Sequence, residues 1–258
     1  MRLMKRILSA AAVLALSASL LVGCSSGTAS SVPVSASSAA ESTVSSVEET
    51  ASSAVDENEA AAAQLLNDLT GSYQELWPVI LADEYKQTWL DDCTALVGED
   101  NAEAAFEKLS SMVTSDVYGE DAVKAYANGG GAYFCGFTNS LAILTFDGET
   151  STISGTDKDG NVLFSHAYHY IGMEPVRGLY EFESDDADSG EFTYFFLAPD
   201  TSVETYHIEF RYGSDADALS QYDAGDYAYW LASGISTDCD QTMIDNCIEL
   251  FCTENLAG

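Results

Sequence analysis

"VLFSHAYHYIGMEPVRGLYEFESDDADSGEFTYFFLAPDTSVETYHIEFRY", residues 162–212, decides the fold. It divides into the β-rich runs "VLFSHAYHYI", "GLYEFES", "EFTYFFLA" and "VETYHIEFRY", with turn-forming "DDADSG" and "APDT" between later runs. In the last run Tyr206, Ile208, Phe210 and Tyr212 share one face. Thr205, His207, Glu209 and Arg211 share the other, the period of two expected for a strand. Working back, "AYFCGF", "SLAILTF" and "STISGT" read the same way, with "FDGET" and "DKDGN" as turns. Successive strands joined by short turns make an antiparallel meander. Seven or eight of them close into a barrel, which removes exposed strand edges. The expectation is a barrel over residues 132–212.

Helical patterning flanks this region. "AAAAQLLNDLTGSYQELWPVILADEYKQTWLDDCTALV" spaces Leu65, Leu66, Leu69, Tyr73, Leu76, Val79 and Ile80 at near-helical intervals. Gly71 and Pro78 interrupt it, so two helices are expected. "NAEAAFEKLSSMV", "EDAVKAYA", "DALSQY" and "DCDQTMIDNCIELFCTEN" read as further helices. Helices from 60–125 and 239–254 should therefore pack on the barrel.

The first residues address compartment. Arg2, Lys5 and Arg6 precede an apolar run ending in Leu21-Val22-Gly23-Cys24. That order resembles a bacterial lipoprotein signal, with Cys24 lipidated as the mature N-terminus. Two acyl chains suffice for a stable anchor on the extracytoplasmic face of the cell membrane. Residues 25–57, dominated by Ser, Ala and Thr, cannot bury enough surface to offset ordering entropy and read as a disordered tether. One domain, 58–258, remains.

The chain carries 42 acids against nine Lys and Arg, a formal net charge of −33. Such a field repels nucleic acid and anionic lipid and concentrates cations. Beyond Cys24, the cysteines are Cys93, Cys135, Cys239, Cys247 and Cys252. None is spaced as C-x-x-C, which argues against a cysteine zinc knuckle. A bond from one of the last three to Cys93 or Cys135 suits an oxidising compartment, as does simple packing. Asp157-Lys158-Asp159-Gly160 and the acids at 186–190 lack full calcium-loop spacing and read as hairpin turns. No phosphate loop, nucleophile elbow or dinucleotide fingerprint is present, so a binding protein rather than an enzyme is expected.

"DLTGSYQELWPVI", residues 68–80, resembles the N-terminal signature of the ZinT (YodA-like) zinc-binding family, with Gly71, Tyr73, Gln74 and Pro78 at matching spacing. The similarity continues through "KDGNVLF", "VRGLYEFE", "FFLAPDTSVETYHIEFRYGSD" and "GDYAYWLASGIS", covering roughly residues 65–255. The resemblance implies a mainly β, antiparallel lipocalin-like (calycin) barrel with flanking N- and C-terminal helices. It also implies extracytoplasmic zinc binding through three histidines near the barrel mouth, in cooperation with a zinc ABC transporter.

This sequence departs from that pattern. The family's H-x-H pair falls on Thr205 and His207, and its earlier histidine falls near Phe195. A rebuilt site would use His207 and Glu209, which share a strand face, with either His166 or His169. These two project to opposite faces of their strand, so only one can point inward. Imidazole and carboxylate both bind Zn2+. His207, Thr205 and Glu209 are then expected to face the barrel interior. A strand histidine beside a glutamate is equally the pattern of a hydrogen-bonded structural pair. The competing function is a divergent barrel that has lost zinc and holds a small organic ligand among its aromatics, or a surface partner.

Overall fold

The computed structural model describes residues 57–198 and 207–257. Cys24, the signal segment and residues 25–56 of the expected tether lie outside them, as does Thr205. No helix among the described residues is long and apolar enough to cross a membrane.

Eight antiparallel strands form a closed barrel in sequence order. They are β1 (Gly71–Glu75), β2 (Ile143–Asp147), β3 (Thr152–Thr156), β4 (Val162–Met173), β5 (Tyr180–Ser184), β6 (Tyr194–Leu197), β7 (His207–Gly213) and β8 (Ala232–Ser236). Closure comes from β1, which pairs with β2 on one side and β8 on the other. A helix over 57–68, α1, leads into it. Between β1 and β2 lie α2 (Leu76–Ile80), α3 (Lys86–Val97), α4 (Glu99–Ser111) and α5 (Glu120–Ala127). α6 (Ala216–Leu219) follows β7, and α7 (Gln241–Leu256) follows β8.

The mainly β barrel with flanking helices is therefore as expected, but its limits are wider. β1 lies in the stretch read as helix. Its alternation sends Tyr73 inward against Phe146, with ring centroids 5.7 Å apart, while Ser72 pairs outward with Thr145 at 2.8 Å. β8 lies beyond residue 212 and has small inner-face residues because space is short there. A Cβ on Gly234 would stand 3.1 Å from the Ile208 side chain and 3.3 Å from Phe137. Conversely, "AYFCGF" is not a regular strand. It runs beside residues 229–233 through single contacts, including Leu231 N–H to Phe134 C=O at 3.1 Å.

The inner face is packed with aromatic rings. Phe146, Phe182, Phe195, Phe210 and Tyr212 are at most 2% exposed. Phe195 stacks 5.3 Å from Tyr212, and Phe164 stacks 3.9 Å from Phe192. Rings at these separations exclude water and contribute beyond their buried area. A second core lies outside the barrel, where Leu76, Trp77 and Ile80 of α2 meet Trp89, Ile244 and Ile248 of α3 and α7, with Ile235 of β8 beneath. The Trp89 indole donates to Ile80 C=O at 2.7 Å, so even the ring nitrogen of this fully buried side chain is satisfied. Asp240 caps α7 by accepting from Met243 N–H at 3.0 Å.

Candidate functional site

β7 is the strand on which a site was expected. Its inward residues are Ile208, Phe210 and Tyr212, all within the barrel core. By alternation His207, Glu209 and Arg211 face outward. This corrects the expectation that His207 and Glu209 point into the barrel. The physical reason is the strand's own pattern: three large apolar side chains at alternate positions outweigh any gain from placing imidazole and carboxylate among aromatic rings. The two do share a face, as read. His207 lies opposite Ile235 and Glu209 opposite Ser233 of β8.

The other two candidates are elsewhere. His166 is on the inner side of β4, between Phe164 and Tyr168, and donates from Nδ1 to Asp186 at 2.7 Å. His169 is on the outer side, half exposed, and donates from Nδ1 to Asp185 at 2.7 Å. They take opposite faces of one strand, as alternation requires. Their aspartates follow the end of β5, whereas His207 begins β7 at the other end of the barrel. The structure does not bring His166 or His169 to His207 and Glu209. Among the described residues no three His, Cys, Asp or Glu side chains converge as a metal ion needs. Phe195, where the resemblance would place a further histidine, is fully buried. Two donors stand where a protein zinc centre takes three or four.

What surrounds the outer face of β7 was not legible from spacing. Burial pushes the Cys135 thiol up to about 12, and the Glu209 carboxylate adds to the shift. The buried Trp77 indole N–H, without an oxygen or nitrogen acceptor, adjoins the same sulfur. Cys135, Gly136, Glu75, Trp77 and Pro78 are among the residues lining an open cleft of about 340 Å³. Glu75 is held there by the Phe137 N–H at 2.6 Å.

Further along, Arg211 is fully buried. Its guanidinium donates to the carbonyls of Leu219 and Tyr227 and lies 4.4 Å from the centre of the Tyr222 ring. Arg177 rests against the same ring at 4.3 Å. The Tyr222 hydroxyl donates to Glu174, a buried acid that also accepts from the N–H groups of Val176 and Arg177 at 2.6 and 2.7 Å. Two of the chain's nine basic residues thus meet on one tyrosine. The signal in the sequence was their scarcity, together with Pro175 and Gly178 marking the turn that presents Arg177.

Fold and site together define a closed eight-stranded antiparallel barrel with an outer helical layer and a polar cluster over β7. Comparison with known proteins finds no matching family model and no matching curated protein. Among solved structures the chain is similar to the Zn(II)-bound ZinT-like domain of Streptococcus pneumoniae AdcA, at 14% identity and TM-score 0.45. The match covers 71% of this chain and 89% of that one. It is also similar to Zn(II)-bound AdcA from the same organism, at 14% identity and TM-score 0.42. There the match covers 72% of this chain and 35% of the other.

Proposed function

We propose that this chain is a lipid-anchored, extracytoplasmic binding protein, not an enzyme, that takes up Zn2+ or a similar divalent cation at the start of β7 and passes it to an ABC importer. The observation that supports the metal reading is the shared outer face of His207 and Glu209, two zinc-competent donors two residues apart on a rigid strand. The net charge of −33 favours cation capture. With two protein donors the site is weaker and more open than a three-histidine centre, which suits release to a partner. The Arg2–Arg6 segment and Cys24 support the anchor, and the resemblance to ZinT-like sequences supports the transporter.

Calorimetric titration of zinc into the wild type and His207→Ala tests this. The expected result is binding by the wild type that the variant weakens tenfold or more. Equal binding by both would remove His207 from the site.

The second reading is a barrel that has lost metal. The non-convergence of His166, His169, His207 and Glu209 favours it, and zinc binding by neither protein would establish it. In that case the filled aromatic interior disfavours a small organic ligand inside the barrel. The functional surface would then be external, with a protein partner as occupant.

A further inference from the structure

Cys93 of α3 and Cys252 of α7 are both fully buried, and their sulfurs face each other 3.8 Å apart. We propose that these two residues form a disulfide that ties the C-terminal helix to the helical layer, leaving Cys135 and Cys247 as packed thiols. The sulfurs are in van der Waals contact already, on two helices that pack together, and a bond of about 2.05 Å requires them to close by roughly 1.8 Å. α3 packs along α7 and α4, so the pair sits at the centre of that layer. The chain between them contains almost the whole barrel, since they are 159 positions apart. Linking distant positions restricts the unfolded chain most.

Among the described residues no other two cysteine sulfurs make such a contact, although Cys239 lies near enough to Cys247 to add to the upward shift of its thiol. Cys135 has Trp77 and Ser233 as its neighbours. Cys239 lies just outside α7.

The chemistry needs an oxidant, which an extracytoplasmic protein meets as a disulfide carried by a thiol oxidoreductase or a small dithiol couple. One cysteine thiolate attacks a sulfur of that disulfide and displaces a thiolate, giving a mixed disulfide. The second cysteine thiolate attacks the protein sulfur and releases the other oxidant thiolate. Two protein thiols lose two protons and two electrons, and one oxidant disulfide becomes two thiols.

Burial raises both thiols above the ordinary cysteine range, with Cys252 driven further than Cys93. Packed thiols are therefore poor nucleophiles, and oxidation runs through chains in which α7 has not docked or has opened. Once formed, the bond is shielded from reductant by the same packing.

The test uses the full chain, equilibrated in a mixture of oxidised and reduced glutathione under mild denaturant and then refolded. After alkylation and proteolysis without reductant, mass spectrometry should find one linked peptide joining Cys93 and Cys252. The oxidised protein should melt on the order of 10 °C above its reduced form. The double variant Cys93→Ala/Cys252→Ala should show no such redox-dependent shift. A link from either residue to Cys24, Cys135, Cys239 or Cys247, or alkylation of both Cys93 and Cys252 after oxidation, would overturn the proposal. Because the linkage is read on wild-type protein, a poorly folding variant does not protect the idea. Because the oxidation is done on purified protein, failure of the membrane-anchor reading is a separate result.

Discussion

Arg211→Met is the sharpest probe of how the outer layer is held on the barrel. The wild-type guanidinium is fully buried and bonds the carbonyls of Leu219 and Tyr227, with Gln221 C=O further off at 3.4 Å. Methionine fills most of the side-chain volume but donates nothing. Each orphaned buried carbonyl costs about 1–3 kcal/mol, so the two close partners together lose about 2–6 kcal/mol. Against that, the variant no longer buries a cation, and burial already holds this guanidinium below its ordinary range. Crediting the relief at about 1–2 kcal/mol leaves a net loss of about 0–5 kcal/mol, with a midpoint of about 2.5 kcal/mol. For a domain of this size that midpoint is a fall in melting temperature of about 5–10 °C. Urea unfolding followed by tryptophan fluorescence reads it directly, because Trp230 lies in the core beside Tyr227. A variant as stable as the wild type would mean that desolvating the cation costs as much as its hydrogen bonds return.

Three further outcomes follow from the packing. Tyr212→Phe keeps the ring stack but removes a hydroxyl that accepts from Thr138 N–H at 2.6 Å and donates to Thr138 C=O at 2.9 Å. The expected loss is about 1–3 kcal/mol by chemical denaturation, and less than about 0.5 kcal/mol would refute a structural role for that contact. Gly155→Ala forces a Cβ to 2.4 Å from both Leu141 and Phe164, so it should cost about 1–3 kcal/mol, whereas Gly160→Ala, with an open Cβ site but positive φ, should cost about 1 kcal/mol. At high pH the Tyr73 phenol, raised by burial from 10.0 to about 12, favours the folded state only while it is protonated. Its contribution is therefore complete below pH 10 and lost as pH rises towards 12, and Tyr73→Phe should flatten that part of a melting-temperature profile.

The strands from β4 to β7 were legible because each alternates clearly and is bounded by turn residues. β1 was not, because Tyr73, Leu76 and Ile80 also satisfy helical spacing, and its pairing with β2 and β8 is made across more than sixty residues of sequence. β8 was missed for the opposite reason. Ala232 and Gly234 carry little apolar signal, since neighbouring rings occupy their space. In "AYFCGF" the apolar residues serve two different neighbourhoods. Phe137 enters the barrel core and Cys135 the helical layer, so no single strand face exists. The candidate site was legible only as a pair. His207 and Glu209 share a face, and the burial of Ile208, Phe210 and Tyr212 on the other face makes it the outer one.

That parity constrains function more than the number of histidines does. A shift of one residue along a strand exchanges every inward side chain for an outward one. With Phe195, Phe210 and Tyr212 stacked inside, an inward His207 would require expelling Ile208, Phe210 and Tyr212 from the core, at about 1.5–3 kcal/mol for each side chain exposed. A cation site on β7 must therefore be external, beside Ser233 and Cys135 rather than among the rings. Substitutions that enlarge the interior, such as Phe210→Ala, should lower stability by about 3–5 kcal/mol yet leave cation affinity unchanged when measured on the folded protein. Glu209→Gln should do the reverse. A calorimetric titration in which Phe210→Ala weakened binding and Glu209→Gln did not would place the site inside the barrel and refute the outward assignment.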